Sequence, residues 1–376
     1  MMRGSIPKPI ADLPWRALIP LITLVCFGAA VLYSAAGGSF KPWAGTHLLR
    51  FSVFLTIALV MSRLPRELFK WSAYPVYLGL VILLILVELI GGIRGGGQRW
   101  LDLGFMNLQP SELMKPGIVL VLARFYDGLP PAMTQSWRSL APVSALLGVP
   151  ALLVMLQPDL GTGLAICFGA GVVIFLAGLP LAWFIGGGLA AVAIIPIAFF
   201  TLLHGYQRNR VLVFLDPESD PLGTGYHITQ SKVAIGSGGL TGKGFGQGSQ
   251  SVLGYLPESH TDFVFATMAE QWGLIGGLLV IGIFMIILRW GLQVSRRATD
   301  RFASLLAAGM TATVFFYMAI NLMMVMGLAP VVGIPLPFMS HGGSSMLTNM
   351  LCLGTIMAVD RWNRCSGGLS DQTERR

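Results

Sequence analysis

The amino-acid sequence predicts an all-α integral membrane protein of about ten transmembrane helices, and three features carry that prediction. The first is composition: of 376 residues, 54% are hydrophobic and only 11% charged, which leaves a water-soluble domain of this size too little polar surface. The second is the length of the apolar runs. A spanning helix takes about 20 apolar residues, so ten would use roughly 200, close to what the hydrophobic fraction supplies. The third is the sidedness of the basic residues, set out below. High hydrophobicity excludes disorder, no long heptad run supports a coiled coil, and 4 cysteines are too few for a disulfide scaffold. The net charge of +8 implies no nucleic-acid partner, because cations of a polytopic chain gather in its inner loops for topological reasons.

Taken in order, the apolar runs are 17–35, 47–62, 71–90, 111–126, 141–156, 162–178, 181–203, 263–289, 302–327 and 346–360. Ser34-Ala35-Ala36 has the small residues of a cleavage site, but the run before it reads as a retained first anchor. The fourth run carries Glu112, Lys115 and Pro116, and the proline disfavours helix at Lys115, so a local kink is expected. An even number of spans puts both termini on one side. With the N-terminus inside, sixteen Lys and Arg fall in inner segments and seven in outer ones, with Arg50 and Lys115 inside runs. That asymmetry places 1–16 and 361–376 on the cytoplasmic side of the membrane. Cys26, Cys167 and Cys352 lie in runs and Cys365 in the inner tail, so no disulfide is expected. One polytopic domain thus covers 1–376, with a long extracytoplasmic segment, 204–262, between the seventh and eighth helices. Connections of such length are usually functional or partly folded. With the outer segments 91–110 and 328–345, rich in Gly, Pro and polar residues, it predicts an outward-facing cavity.

Charges at membrane depth narrow the search, since each costs on the order of 2.5–3.5 kcal/mol on insertion scales. Arg50, Glu112, Lys115 and Glu270 lie in runs, with Glu88 and Asp159 nearer the outer edge. Glu112 and Lys115 are three residues apart, share a helix face and can pair, as a structural clasp or as a substrate contact. Asp262 opens the eighth run, with His260 and Thr261 beside it. A carboxylate there stabilises the helix dipole. The polar cluster also suits a base or a cation ligand.

Residues 236–248, Gly-Ser-Gly-Gly-Leu-Thr-Gly-Lys-Gly-Phe-Gly-Gln-Gly, offer backbone N–H groups and Lys243 as a cradle for phosphate oxygens, or simply a flexible loop. The segment is not a nucleotide motif, because Ser237 stands where the Walker pattern needs glycine and Gly244 follows the lysine. Metalloprotease, C-x-x-C and serine-triad patterns are missing, so zinc hydrolysis and serine acylation have no support.

Several collinear stretches carry a resemblance: Gly97-Gln-Arg-Trp-Leu, Gln109-Pro-Ser-Glu112, Gln157-Pro-Asp-Leu-Gly-Thr162, Asp216-Pro-Glu-Ser-Asp-Pro-Leu-Gly223, Gly225-Tyr-His-Ile-Thr-Gln-Ser-Lys232, Ala234-Ile-Gly-Ser-Gly-Gly239, His260-Thr-Asp-Phe263 and Pro335-Leu-Pro-Phe338. Together they resemble the SEDS family (shape, elongation, division and sporulation), its rod-shape branch more closely than its division branch. The resemblance implies a ten-helix peptidoglycan glycosyltransferase that polymerises lipid II on the outer face of the cytoplasmic membrane. It implies a class B penicillin-binding protein as partner, among the membrane proteins of the elongation complex. It also places the essential carboxylate at Asp262 and a cavity lining at Arg50, Glu112, Lys115 and Asp159, with Lys232, Lys243, His260 and Thr261 as further substrate-binding candidates. Two positions depart from the family pattern: His341 replaces a usual tyrosine, and Gln271 a common second glutamate.

That implied chemistry fits the residues. Forming a β-linked bond from an α-linked sugar pyrophosphate inverts the anomeric carbon, so one carboxylate can take the acceptor's 4-hydroxyl proton, and Asp262 is the candidate. The leaving lipid pyrophosphate needs cationic stabilisation, from Lys115, Arg50, Lys243 or a divalent ion (Mg or Mn) with Asp262 as its ligand; no nucleotide is called for. The alternative is a flippase for a lipid-linked precursor, since buried charges around a cavity also describe a transporter. The cost of four intramembrane charges argues against a passive scaffold.

Overall fold

Each of the ten apolar runs falls on a helix in the computed structural model, which describes residues 13–373 except 95–96, 103, 105–106, 158, 202–207, 209–211, 215, 217–219, 221–222 and 257. The helices on these runs are α1 (Trp15–Ala35), α2 (Trp43–Met61), α3 (Arg66–Ile90), α4 (Pro110–Asp127), α5 (Trp137–Leu156), α6 (Leu160–Leu176), α7 (Leu181–Thr201), α10 (Val264–Arg296), α11 (Arg301–Val325) and α12 (Gly343–Thr373). Two more, α8 (Thr224–Gly238) and the short α9 (Ser249–Val252), lie within the long polar segment. Among the described residues six helices, α1, α2, α3, α5, α10 and α11, are long and apolar enough to cross a membrane. Their outward faces carry exposed Leu49, Val53, Trp71, Leu89, Leu152 and Leu279, an apolar girdle that water would not tolerate and lipid does. The chain is a multi-pass membrane protein.

Burial inverts the hydropathy ranking. Helix α4 has four charged residues, Glu112, Lys115, Arg124 and Asp127, yet it is buried almost continuously from Pro110 to Ala123. It packs against α3, α6 and α11 at the centre of the bundle, so its charges face protein rather than hydrocarbon. The helix continues through Pro116, and Lys115 is helical despite the proline that follows it. Close approach relies on small residues: a Cβ on Gly309 of α11 would come within 2.6 Å of Val119 on α4 and Val173 on α6.

Two features depart from the all-α expectation of plain spans joined by loops. Three strands, β1 (Gly92–Arg94), β2 (Gly97–Asp102) and β3 (Asn107–Leu108), form a small antiparallel sheet in the order β1-β2-β3. The strands are too short for period-2 alternation to emerge from the sequence. Strand β3 runs directly into α4, with Gln109 as its N-cap.

The second departure is a break in α10 at Gly273, where φ is +63° and ψ −158°. The glycine-rich segment fills that break. Lys243 and Gly244 donate their backbone N–H groups to the carbonyls of Glu270 (3.0 Å) and Gln271 (3.1 Å), and Leu274 and Ile275 donate theirs to Gly239 (2.9 Å) and Leu240 (3.2 Å). Both ends of the interrupted helix are thereby satisfied by protein, as backbone at membrane depth requires. A Cβ on Gly242 would sit 2.1 Å from the Gln271 carbonyl oxygen. Gly238, where a Cβ would sit 2.1 Å from the Ala269 carbonyl oxygen, and Gly242 therefore serve close backbone contact, and the segment closes the broken helix.

Candidate functional site

Asp262 lies just before α10, where the long polar segment meets the bundle. Upstream, Glu258 has a positive φ of 48°, uncommon for a residue with a side chain, and its carbonyl accepts the N–H groups of Thr261 (3.1 Å) and Phe263 (3.3 Å). The turn turns Asp262 toward a cavity of about 770 Å³ lined also by Glu258, Thr261 and the loop 332–335. Asn321, buried on α11, fixes this rim by donating to the carbonyls of Asp262 (2.9 Å) and Ile334 (2.7 Å). Gly333 adopts φ +71°, and a Cβ there would be 3.5 Å from Asp262 Oδ2.

Across the cavity stand α4, the sheet and the start of α6. Glu112 lines it. Lys115 lies behind Glu112, fully buried, and donates to Glu112 Oε1 (2.5 Å) and to the Tyr317 hydroxyl (2.8 Å); that hydroxyl donates in turn to Glu112. Lys115 thus neutralises a carboxylate that faces the cavity without facing it itself. Asp159 caps α6 by accepting the Thr162 N–H (3.1 Å), accepts from Gln109 Nε2 (3.0 Å) and sits 3.8 Å from Arg99 Nη1.

Arg50, from α2, supplies a guanidinium to the same wall, and its Nη1 lies 3.2 Å from His341 Nε2. A guanidinium only donates, so His341 accepts, and its proton is on Nδ1. Burial, and then the charge of Arg50, pushes the His341 pKa down to about 4, so the ring is neutral at physiological pH. Arg50 and Arg99 are the cavity's cationic side chains.

Arg50, Glu112, Asp159, Thr261 and Asp262 are brought together as the sequence suggested. Four other candidates are placed elsewhere. Lys115 is one layer behind. His260 stacks on Trp43, with ring centroids 4.2 Å apart. Lys232, on α8, lies against Gly327 at the end of α11. Lys243 pairs with Glu270 (2.9 Å) beside the break in α10. Gln271 is also in that break, its side-chain oxygen accepting the Gly246 N–H (3.3 Å), so this departure from the family pattern does not touch the cavity. Arg99, Tyr317 and Asn321 were missed as site residues. Arg99 belongs to the Gly97-Gln-Arg-Trp-Leu stretch, where nothing in the sequence sets it apart from other outer cations, while Tyr317 and Asn321 sit in an apolar run where a single polar residue gives no signal.

Comparison with known proteins places the chain among relatives. A family model described as a cell cycle protein, FTSW_RODA_SPOVE, matches residues 15–365. The peptidoglycan glycosyltransferase MrdB of Escherichia coli strain K12 is 43% identical over 350 residues, 91% of this chain and 92% of that one. A probable peptidoglycan glycosyltransferase FtsW of Trichlorobacter lovleyi is 33% identical over 94% of each chain. Among solved structures, a chain from a peptidoglycan synthase complex that coordinates polymerization and crosslinking superposes with a TM-score of 0.78 at 32% identity, covering 93% of this chain and 98% of that one. The rod shape determining protein RodA of Thermus thermophilus does so with a TM-score of 0.70 at 28% identity, covering 93% and 97%. Matched by the family model over nearly its whole length, the chain belongs to the FtsW, RodA and SpoVE family.

Proposed function

We propose that this protein is a peptidoglycan glycosyltransferase that polymerises lipid II for cell elongation, with Asp262 as its general base. The observation that carries the reading is one cavity with a carboxylate on one wall and two guanidinium groups, Arg50 and Arg99, on the other. Asp262 takes the proton of the acceptor's 4-hydroxyl as that oxygen attacks the donor's anomeric carbon. The bond from that carbon to the pyrophosphate breaks on the opposite face, which inverts α to β and releases the lipid pyrophosphate. Arg50 and Arg99 stabilise the departing charge, and Glu112, neutralised by Lys115 and Tyr317, offers an acceptor for sugar hydroxyls.

A resident divalent cation fits poorly. Among the described residues no three His, Cys, Asp or Glu side chains converge, so a cation would be shared between Asp262 and the substrate's own pyrophosphate. A carboxylate held that way could not also serve as the base.

All ten helices cross the cytoplasmic membrane in this reading, with both termini inside and the cavity facing the periplasm, where the donor is presented. The likeness to a chain of a synthase complex supports a class B penicillin-binding protein as the partner that crosslinks the new strand. The test is purified protein with that partner, given labelled lipid II. Asp262→Asn keeps the side chain's shape and removes its basicity, so it should fold, bind the partner and make no glycan at any pH or divalent concentration. Polymerisation near the wild-type rate would end the proposal, and loss of lipid II translocation instead of polymerisation would favour a flippase.

A further inference from the structure

At the end of the bundle remote from the cavity, the start of α1, the last turns of α10 and the later part of α12 enclose a pocket of about 370 Å³. It lies within the range of roughly 300–1,000 Å³ typical of small-ligand sites. Its polar lining is Arg16, Arg297, Arg364, Asp360 and Gln293, and its apolar lining includes Trp15 and Trp290. Asp360 accepts from Arg364 Nη2 at 2.9 Å. Arg16 and Arg297 are both exposed, and among the described residues neither has a carboxylate within ion-pair distance. Three guanidinium groups against one carboxylate leave the pocket with an excess of two positive charges.

The tryptophans set its depth. Trp15 is the first residue of α1 and is 43% exposed, while Trp290 lies two turns before the end of α10 and is buried against the pocket. Indoles at the ends of spanning helices belong at the membrane–water interface. A site there meets phospholipid headgroups at very high local concentration, and basic pockets between helices on the cytoplasmic side suit anionic ones.

We infer that this pocket binds the phosphodiester headgroup of an anionic glycerophospholipid, with Arg16 and Arg297 on the phosphate oxygens and the indoles against the glycerol and upper acyl carbons. Arginine suits this role because its planar fork pairs with two phosphate oxygens at once. A zwitterionic headgroup would bring an ammonium group against the same guanidinium groups. The inference rests on the proposed arrangement of the spans, which puts this end of the bundle at the inner leaflet.

The test measures lipid binding and needs no glycan synthesis, so it can fail while the transferase reading stands, and the reverse. Full-length wild type and an Arg16→Gln, Arg297→Gln variant are delipidated in a zwitterionic detergent and titrated with cardiolipin, phosphatidylglycerol or phosphatidylcholine, with bound lipid counted by native mass spectrometry. The wild type should prefer the anionic lipids at least tenfold, and the variant should lose about tenfold of that affinity at an unchanged melting temperature in detergent. Equal binding of phosphatidylcholine by the wild type, or an unchanged preference in the variant, would overturn the inference. Displacement of the lipid by millimolar inorganic phosphate would overturn it too, by making the pocket a site for a soluble anion. Should the double variant misfold, Arg297→Gln alone is read the same way.

Discussion

Among the described residues two lysines pair with buried glutamates, Lys115 with Glu112 and Lys243 with Glu270, and their surroundings give the pairs opposite roles. Glu270 is walled in: Lys243 Nζ, the Ser249 hydroxyl and the N–H groups of Gln250 and Ser251 all donate to its carboxylate at 2.9–3.3 Å. Glu112 has two donors, Lys115 and Tyr317, and its remaining capacity opens onto the cavity. The first carboxylate organises the loop that closes the break in α10. The second is held in place by the protein with one side left for something else. A buried charge reveals its purpose less by its partner than by the lone pairs its partners leave over.

Glu270→Ala should show the larger effect. It leaves two backbone N–H groups without an acceptor and a half-buried ammonium group with only the Ser249 hydroxyl (2.9 Å) in place of its counter-charge, at a cost of roughly 3–5 kcal/mol. Adding Lys243→Ala should recover little of it, because Gln250 and Ser251 still lack their acceptor. Thermal melts of the purified single and double variants check this. Recovery of most of the lost stability by the double variant would mean that the ion pair alone matters there.

Lys115→Ala should also destabilise, by a similar few kcal/mol, since it orphans Glu112. Here the double variant with Glu112→Ala should refold well, because little beyond the Tyr317 hydroxyl then needs a partner. Its polymerisation of lipid II should nonetheless stay at least tenfold down. Full recovery of both stability and activity would reduce the pair to a structural clasp and erase the contrast with Glu270.

Gly273→Ala probes the break itself and should cost about 1–3 kcal/mol. The backbone there has φ +63°, and an added Cβ would meet Gly242 N at 2.4 Å and the Leu240 carbonyl oxygen at 2.6 Å. The loss is read as a fall in melting temperature, with proteolysis inside 239–248 as the local signature. An unchanged melt with intact protection would mean that the interruption tolerates a side chain.

The same contrast separates what the sequence discloses from what it hides. The helices on the ten apolar runs are legible because a long apolar run is a local signal. Asp262, Glu112, Arg50 and Asp159 are legible because charge at membrane depth is costly and therefore conspicuous. The role of 236–248 is not legible, since a glycine-rich loop that cradles phosphate and one that caps a broken helix have the same composition; the distinction lies at Gly273, some thirty residues on. The glycines around Lys243 make it look like a site residue, whereas its ammonium group pairs with Glu270. Tyr317 and Asn321 escape because each is one polar residue in an apolar helix, and what gives them meaning is a partner more than fifty residues distant.

The smallest effect expected is at His341, where the family usually carries tyrosine. Both side chains can accept a hydrogen bond from Arg50, the imidazole through Nε2 at 3.2 Å and a tyrosine through its hydroxyl, so His341→Tyr should leave activity at neutral pH within a fewfold of wild type. The difference should appear on acidification. In the folded protein the His341 pKa is lowered to about 4 by burial and by Arg50, against an ordinary 6.5, so the unfolded chain binds a proton more readily between those values. The neutral ring's contribution to stability is therefore complete above about pH 6.5 and is lost as pH falls toward 4. His341→Tyr has no such proton to take up and should lose less stability than wild type between pH 7.5 and 5.5, by about 1 kcal/mol. Parallel melting curves across that interval would show that His341 is not held neutral, and that Arg50 is fixed in the cavity by something other than this ring.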